Sequence, residues 1–147
     1  MNIKIIKAEK ENTADIFLIE QSCFSTPWTE QSICDSVGVE NNYFNIAYAD
    51  GKPAGYMSMQ LAAGEGDIMR VAVLPEYRRL GIGRALLNEC FLSNKPDAVF
   101  LDVRENNVPA IRLYESFGFE KIGIRKNYYS NPTENAIIMT FKLKGKV

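Results

Sequence analysis

Between Val71 and Leu87 the chain reads Val-Ala-Val-Leu-Pro-Glu-Tyr-Arg-Arg-Leu-Gly-Ile-Gly-Arg-Ala-Leu-Leu. An apolar run of strand type stops at Pro75, a short loop carries Arg78 and Arg79, and Gly81 and Gly83 open an amphipathic segment. Glycine lets a backbone come close to a ligand with its amides outward. The first turn of a helix leaves N–H groups without intrahelical partners and carries about half a positive charge, so the junction suits a phosphate or pyrophosphate. Arg78, Arg79 and Arg84 add mobile positive charge beside it. Two familiar phosphate loops do not fit. A Walker loop places Lys and then Ser or Thr after its second glycine, whereas Arg84-Ala85 follows Gly83. A dinucleotide turn needs a small third residue where Leu86 stands, and a first glycine directly at the strand end rather than six residues beyond Pro75.

Around this junction the period of the apolar residues predicts the remaining elements. Ile3 to Lys7 alternates as a short strand. Thr13 to Phe24 has helical spacing, Ser25-Thr26-Pro27 breaks it, and Thr29 caps a second helix to about Val37. Residues 43–49 alternate, Asp50-Gly51 turns, and a strand follows from Ala54 to about Ala62. A turn at Gly64-Glu65-Gly66 precedes a third strand of this meander, Asp67–Leu74. A helix from Gly81 to about Leu92, a buried strand from Asp97 to Val103, a helix from Val108 capped by Asn107 and stopped by Gly118, and strands near 119–126 and 136–143 complete the order. A hairpin meander followed by βαβ predicts one α/β domain over residues 1–147, with a mixed, mostly antiparallel sheet flanked by helices.

Composition removes several function classes. The 147 residues contain no histidine, which rules out Ser-His-Asp and Cys-His nucleophilic sites and the usual zinc sites; no metal is expected. Net charge is −1 and no basic stripe interleaves with aromatics, so no direct nucleic-acid partner is expected. No apolar stretch approaches the roughly 20 residues that span a bilayer, and the N-terminus has no signal-peptide pattern. Cys23, Cys34 and Cys90 are odd in number and widely spaced, which suits free thiols in a reducing cytoplasm.

Arg78-Arg79-Leu80-Gly81-Ile82-Gly83 matches the Arg/Gln-x-x-Gly-x-Gly/Ala pyrophosphate loop of the GNAT acetyltransferases. The element order also resembles that fold from end to end. Leu101-Asp102-Val103-Arg104-Glu105-Asn106-Asn107, Ala110 to Phe119, Arg125 to Tyr129 and Ala136 to Met139 resemble the RimI-type branch, which acetylates the N-terminal alanine of a ribosomal protein. Glu20-Gln21 and Phe24 to Glu30 resemble it more loosely. The resemblance implies acetyl-CoA as donor and a protein or peptide N-terminus, that of a ribosomal protein, as acceptor.

It also implies roles. Pantetheine would run along Val71, Ala72 and Val73, pairing with the amides of Val71 and Val73, while Arg78, Arg79, Leu80, Gly81, Ile82, Gly83 and Arg84 would hold the pyrophosphate. Asn107 would be a side-chain contact to coenzyme A. Tyr114 would be the general acid; its other reading is a core ring between Ile111 and Phe117. Asp102 stands where the RimI type has a glutamate base and is shorter by about 1.5 Å. A second water could bridge that gap, Glu105 could replace it, or no base would be needed; otherwise Asp102 is a strand-end aspartate paired with Arg104 or a backbone amide. Tyr128 is expected to line the acceptor channel opposite Trp28 and Phe24, although a lone tryptophan after a helix break also suits a core plug. Glu20, Asp35 and Glu134 are acidic candidates to receive a basic peptide. Two other functions fit the same loop, acetylation of a small amine (polyamine, aminoglycoside or amino acid) and acyl-CoA binding without turnover.

Overall fold

The computed structural model describes residues 1–143. Seven strands, β1 (Ile3–Lys7), β2 (Asn42–Ala49), β3 (Lys52–Ala62), β4 (Glu65–Val73), β5 (Ala98–Arg104), β6 (Glu120–Tyr129) and β7 (Glu134–Lys142), form one sheet in the order β1-β2-β3-β4-β5-β7-β6. Among the described residues β4 and β5 are the one parallel pair; the others run antiparallel. Helices α1 (Thr13–Cys23), α2 (Glu30–Ser36), α3 (Ile82–Asn94) and α4 (Val108–Phe117) flank the sheet.

Local chemistry sets the boundaries. Thr29 Oγ1 accepts from Ser32 N–H at 3.1 Å at the start of α2, and Asn107 Oδ1 accepts from Ala110 N–H at 3.3 Å at the start of α4. Asp50 and Gly51, at φ 48° and 82°, close the β2–β3 hairpin. The next turn sits one residue earlier than its glycines suggest. Ala63 and Gly64 take positive φ, and Glu65 and Gly66 already pair with β3, because a two-residue hairpin fits the strand twist. Helix α3 continues two residues past Leu92, and β6 runs on to Tyr129.

Alternation divides the core between the two faces of the sheet. Met57, Met59, Ile68, Val99, Leu101 and Val103 face α3 and α4, meeting Leu86, Leu87, Cys90 and Phe91. Phe44, Ile46, Tyr56, Ala72 and Leu74 face α1 and α2, meeting Ile16, Ile19, Ile33 and Val37. Each fully buried side chain of this kind contributes about 1.5–3 kcal/mol, so both faces stabilise the sheet strongly.

Candidate active site

Strands β4 and β5 pair only from Glu65–Ile68 against Ala98–Leu101. The β3 register shifts at that level, from Met59↔Ile68 to Ser58↔Arg70, so Met69 is an extra residue in β4. A bulge bends its strand and reverses the alternation beyond it. Ile68 therefore packs with α3 and α4, while Ala72 and Leu74 pack with α1 and α2. Past the bulge no described strand pairs with the inner edge of β4, and the sheet splits. Leu74 N–H donates to Ala54 O at 2.8 Å, toward β3. By alternation Ala72 shares that side, and Val71 and Val73 turn their N–H and C=O groups into the split. The Val73 carbonyl is already used, accepting from Arg78 Nε at 2.9 Å and Cys23 Sγ at 3.5 Å.

The glycine junction closes one end of the split. Gly81 caps α3 in the left-handed region at φ 80° and has no side chain to satisfy the first turn. The first helical bond is Ala85 N–H to Gly81 O at 3.0 Å, which leaves the amides of Ile82, Gly83 and Arg84 pointing outward. Arg79 also takes a positive φ, 64°. A Cβ on Gly83 would lie 3.0 Å from Leu113 Cδ2, so this glycine also lets α3 approach α4. Ile82 is buried and Leu80 is half exposed. Two of the three arginines are engaged within the fold. Arg78 folds back onto the β4 terminus, and Arg84 reaches Ser116 Oγ at 3.3 Å with its guanidinium 5.2 Å from the Phe117 ring centre. Each found an acceptor or an aromatic face within its own reach. Asn107 spends its Oδ1 on capping α4.

Tyr114 comes from α4 on the α3–α4 side. It is 7% exposed and packs 5.6 Å from the Phe119 ring, as a core residue does. Burial, and then the neighbouring Tyr129 phenol, push its hydroxyl well above the ordinary tyrosine range. Asp102 alternates with the buried Leu101 and Val103 and so faces the other side. Its partner is Arg125 Nε, 3.2 Å from Oδ1, rather than Arg104. Arg104 instead braces the β6–β7 turn, donating to Pro132 O, Ser130 O and Glu134 Oε1. Its guanidinium lies 4.4 Å from the Tyr129 ring centre. Glu105 is exposed in the turn after β5.

Of the tyrosine pair, Tyr129 is the ring that reaches this cluster. Burial first, then the Asp102 carboxylate, raise its pKa to about 12. Tyr128 is 55% exposed outside it, edge-on to Tyr129 at 5.0 Å. A register shift between Arg125 and Tyr129, with Asn127 at φ 50°, sets which ring turns inward. Alternation counted along the sequence alone does not reveal that irregularity.

The α1–α2 side holds a buried ion pair that the sequence does not disclose. Glu20, fully buried, accepts from the Tyr56 hydroxyl and from Trp28 N–H at 2.8 Å, and pairs with Arg70 Nη2 at 3.1 Å. The Arg70 guanidinium lies 4.0 Å from the Phe24 ring centre and 4.5 Å from that of Trp28. Glu20 is thus not available to a basic peptide. Glu134 is held by Arg104 and Asn106 N–H, and Asp35 accepts from Gln31. Of the three acidic candidates, Glu20 is therefore taken up inside the fold, Glu134 braces the β6–β7 turn, and Asp35 remains exposed on α2. Ser25 Oγ donates to Asn131 O at 3.4 Å, so the α1–α2 connection touches the β6–β7 turn and bounds this side of the split.

Residues 10–119 match the model of the Acetyltransferase (GNAT) family. The chain is 36% identical over 130 residues to the ribosomal protein bS18-alanine N-acetyltransferase of Escherichia coli, covering 85% of this chain and 87% of that one. The crystal structure of the ribosomal-protein-S18-alanine N-acetyltransferase from Escherichia coli matches with a TM-score of 0.89 at 32% identity, over 97% of this chain and 95% of that one. Ard1 from Thermoplasma volcanium matches with a TM-score of 0.84 at 26% identity, over 97% and 98%.

Proposed function

The chain belongs to the GNAT family of acetyltransferases, and from that premise we propose that it transfers acetyl from acetyl-CoA to the α-amine of a protein N-terminus, the alanine of ribosomal protein bS18. The observation that supports this best is the split itself. A strand edge with outward amides leads from a helix N-terminus toward Tyr129, whose phenol interacts electrostatically with Asp102 and Tyr114. The glycine-capped start of α3 fits a pyrophosphate, because three outward amides have no internal acceptor there.

In this reading the amides of Ile82, Gly83 and Arg84 hold the pyrophosphate, with Arg79 and Leu80 shaping the loop. Val71 and Val73 donate along the split, and Val73 N–H polarises the thioester carbonyl. Asn107, at the start of α4, borders the same groove. Asp102, through water, takes the proton from the acceptor amine as its nitrogen bonds to the acetyl carbon. When the C–S bond breaks, Tyr114 gives its proton to the thiolate, and the proton taken from the amine restores it. An α-amine of pKa about 7.7–8.0 costs roughly 1 kcal/mol to deprotonate at neutral pH, and a lysine of about 10.4 costs nearer 4–5. A short carboxylate shared with Arg125 suits the former. Tyr129 faces the acceptor from β6, Trp28 and Phe24 from the α1–α2 side, and Tyr128 stands exposed beyond them. No described helix is long and apolar enough to cross a membrane, and the reading sets the enzyme in the cytoplasm.

The test is a pair of peptides analysed by mass spectrometry, one with a free N-terminal alanine and one blocked there with an internal lysine. Acetylation of the first and little of the second is expected. Comparable lysine acetylation would sink the N-terminal reading, and preference for spermidine or an aminoglycoside would move the enzyme to small amines.

A further inference from the structure

Among the described residues two buried polar side-chain atoms have no hydrogen-bond partner, Ser58 Oγ and Arg70 Nε. They belong to residues directly paired across β3 and β4, so the two stand side by side on the α1–α2 face. Folded chains rarely leave such atoms unmatched unless a ligand or water completes them. Ser58, 2% exposed, lines a cavity of about 220 Å³ with Trp28, Phe44 and Met69 on its apolar side and Ser32, Asn42 and Gln60 on its polar side. Trp28 carries the Arg70 guanidinium on its ring, and Met69 is the first residue past the β4–β5 pairing. This wall of the cavity therefore borders the split on the side where Asp102 faces.

Met69 stands two residues from Val71, roughly 7 Å along a strand. An extended peptide with its amine near Val71 and Val73 brings its second or third residue level with the cavity. We propose that the cavity is a subsite for the side chain of the acceptor's second or third residue, selecting an uncharged side chain with an apolar stem and an oxygen at its tip, of the glutamine or tyrosine kind. Trp28, Phe44 and Met69 fit the stem, while Ser58 Oγ–H donates to the oxygen, with Arg70 Nε–H beside it on the neighbouring strand. Glu20 already matches the Arg70 charge at 3.1 Å, so no carboxylate is needed. A lysine tip offers no acceptor and adds a like charge beside Arg70. The assignment rests on N-terminal acetyl transfer as the function.

The experiment measures kcat/KM for peptides with N-terminal alanine and Gln, Leu or Lys at residue 2 or at residue 3, against a reference with Gly at both. At one of the two positions Gln should exceed Leu about tenfold, and Lys should be worst. Ser58→Ala, which deletes a hydroxyl with no internal partner, should slow only the Gln peptide and reduce the Gln-to-Leu ratio below about threefold. Thermal melting and acetyl-CoA binding of the variant confirm an intact fold. Equal wild-type rates for Gln and Leu at both positions mean the cavity holds solvent only, which overturns the subsite and leaves the function standing. A preference unchanged in Ser58→Ala overturns it as well. If no N-terminal peptide is acetylated, the Gly reference included, the function fails and the subsite with it.

Discussion

The Tyr114 hydroxyl sits in a nearly closed environment among aromatic rings and enters no hydrogen bond with the described residues. Removing it leaves no stranded partner, so Tyr114→Phe should change stability by less than about 0.5 kcal/mol. As the donor to a departing thiolate its loss should cost ~10²–10⁴-fold in turnover. A phenylalanine variant with full activity would return Tyr114 to the core. The pH profile supplies a second check on the same residue. Burial raises Tyr114 and holds Tyr129 at about 12, so both phenols keep their protons to beyond pH 10. The rate on an alanine peptide should rise as the acceptor amine deprotonates near pH 8 and stay level to about pH 10. A descending limb below that range would mean that some other group supplies the proton.

At the scale of the element, the loop and the bulge shape the split between them. A side-chain carbon placed on Gly81 would meet nothing within 4 Å, so the φ of 80° is the constraint there, not space. A β-branched residue adopts that region poorly, whereas asparagine tolerates it. At a hundredfold excess over Kd, acetyl-CoA should add about 2.7 kcal/mol to wild-type stability. Gly81→Val should lose most of that gain in calorimetry and Gly81→Asn should keep it; a valine variant that binds normally would show that the left-handed cap is not needed. The loop was legible because its chemistry is local, with glycines, arginines and a strand end inside seventeen residues. The helices and strands were legible for the same reason, since period and caps are short-range signals. The bulge at Met69 was not, because an extra residue shows only against a partner strand. With it went the turning of Arg70 toward Glu20, fifty positions away; the inward placement of Tyr129 was hidden likewise by the separate register shift between β6 and β7.

At the scale of the molecule, the two faces of the sheet carry separate cores, and protonated phenols and thiols are buried on both. Tyr56 lies in the core under α1 and α2, Tyr114 and Cys90 in that under α3 and α4, and Tyr48 beside Asp15 at the far edge. Burial is the first cause in each case. It raises Tyr48 to about 12 and Cys90 to about 11, and moves Tyr56 and Tyr114 further in the same direction. In the unfolded chain these groups ionise near 10 for tyrosine and 8.5 for cysteine. A raised folded-state pKa means that the stabilisation is complete below the unfolded value and is lost as pH rises toward the folded one. Urea midpoints should therefore hold from pH 7 to about 8.5 and then fall through pH 9–11. Because one sheet backs both cores, Trp28 fluorescence on the α1–α2 side and far-ultraviolet circular dichroism of the whole chain should report the same midpoint at each pH. A midpoint unchanged to pH 11 would contradict the burial of these groups, and two separated transitions would show that the split uncouples the faces it joins.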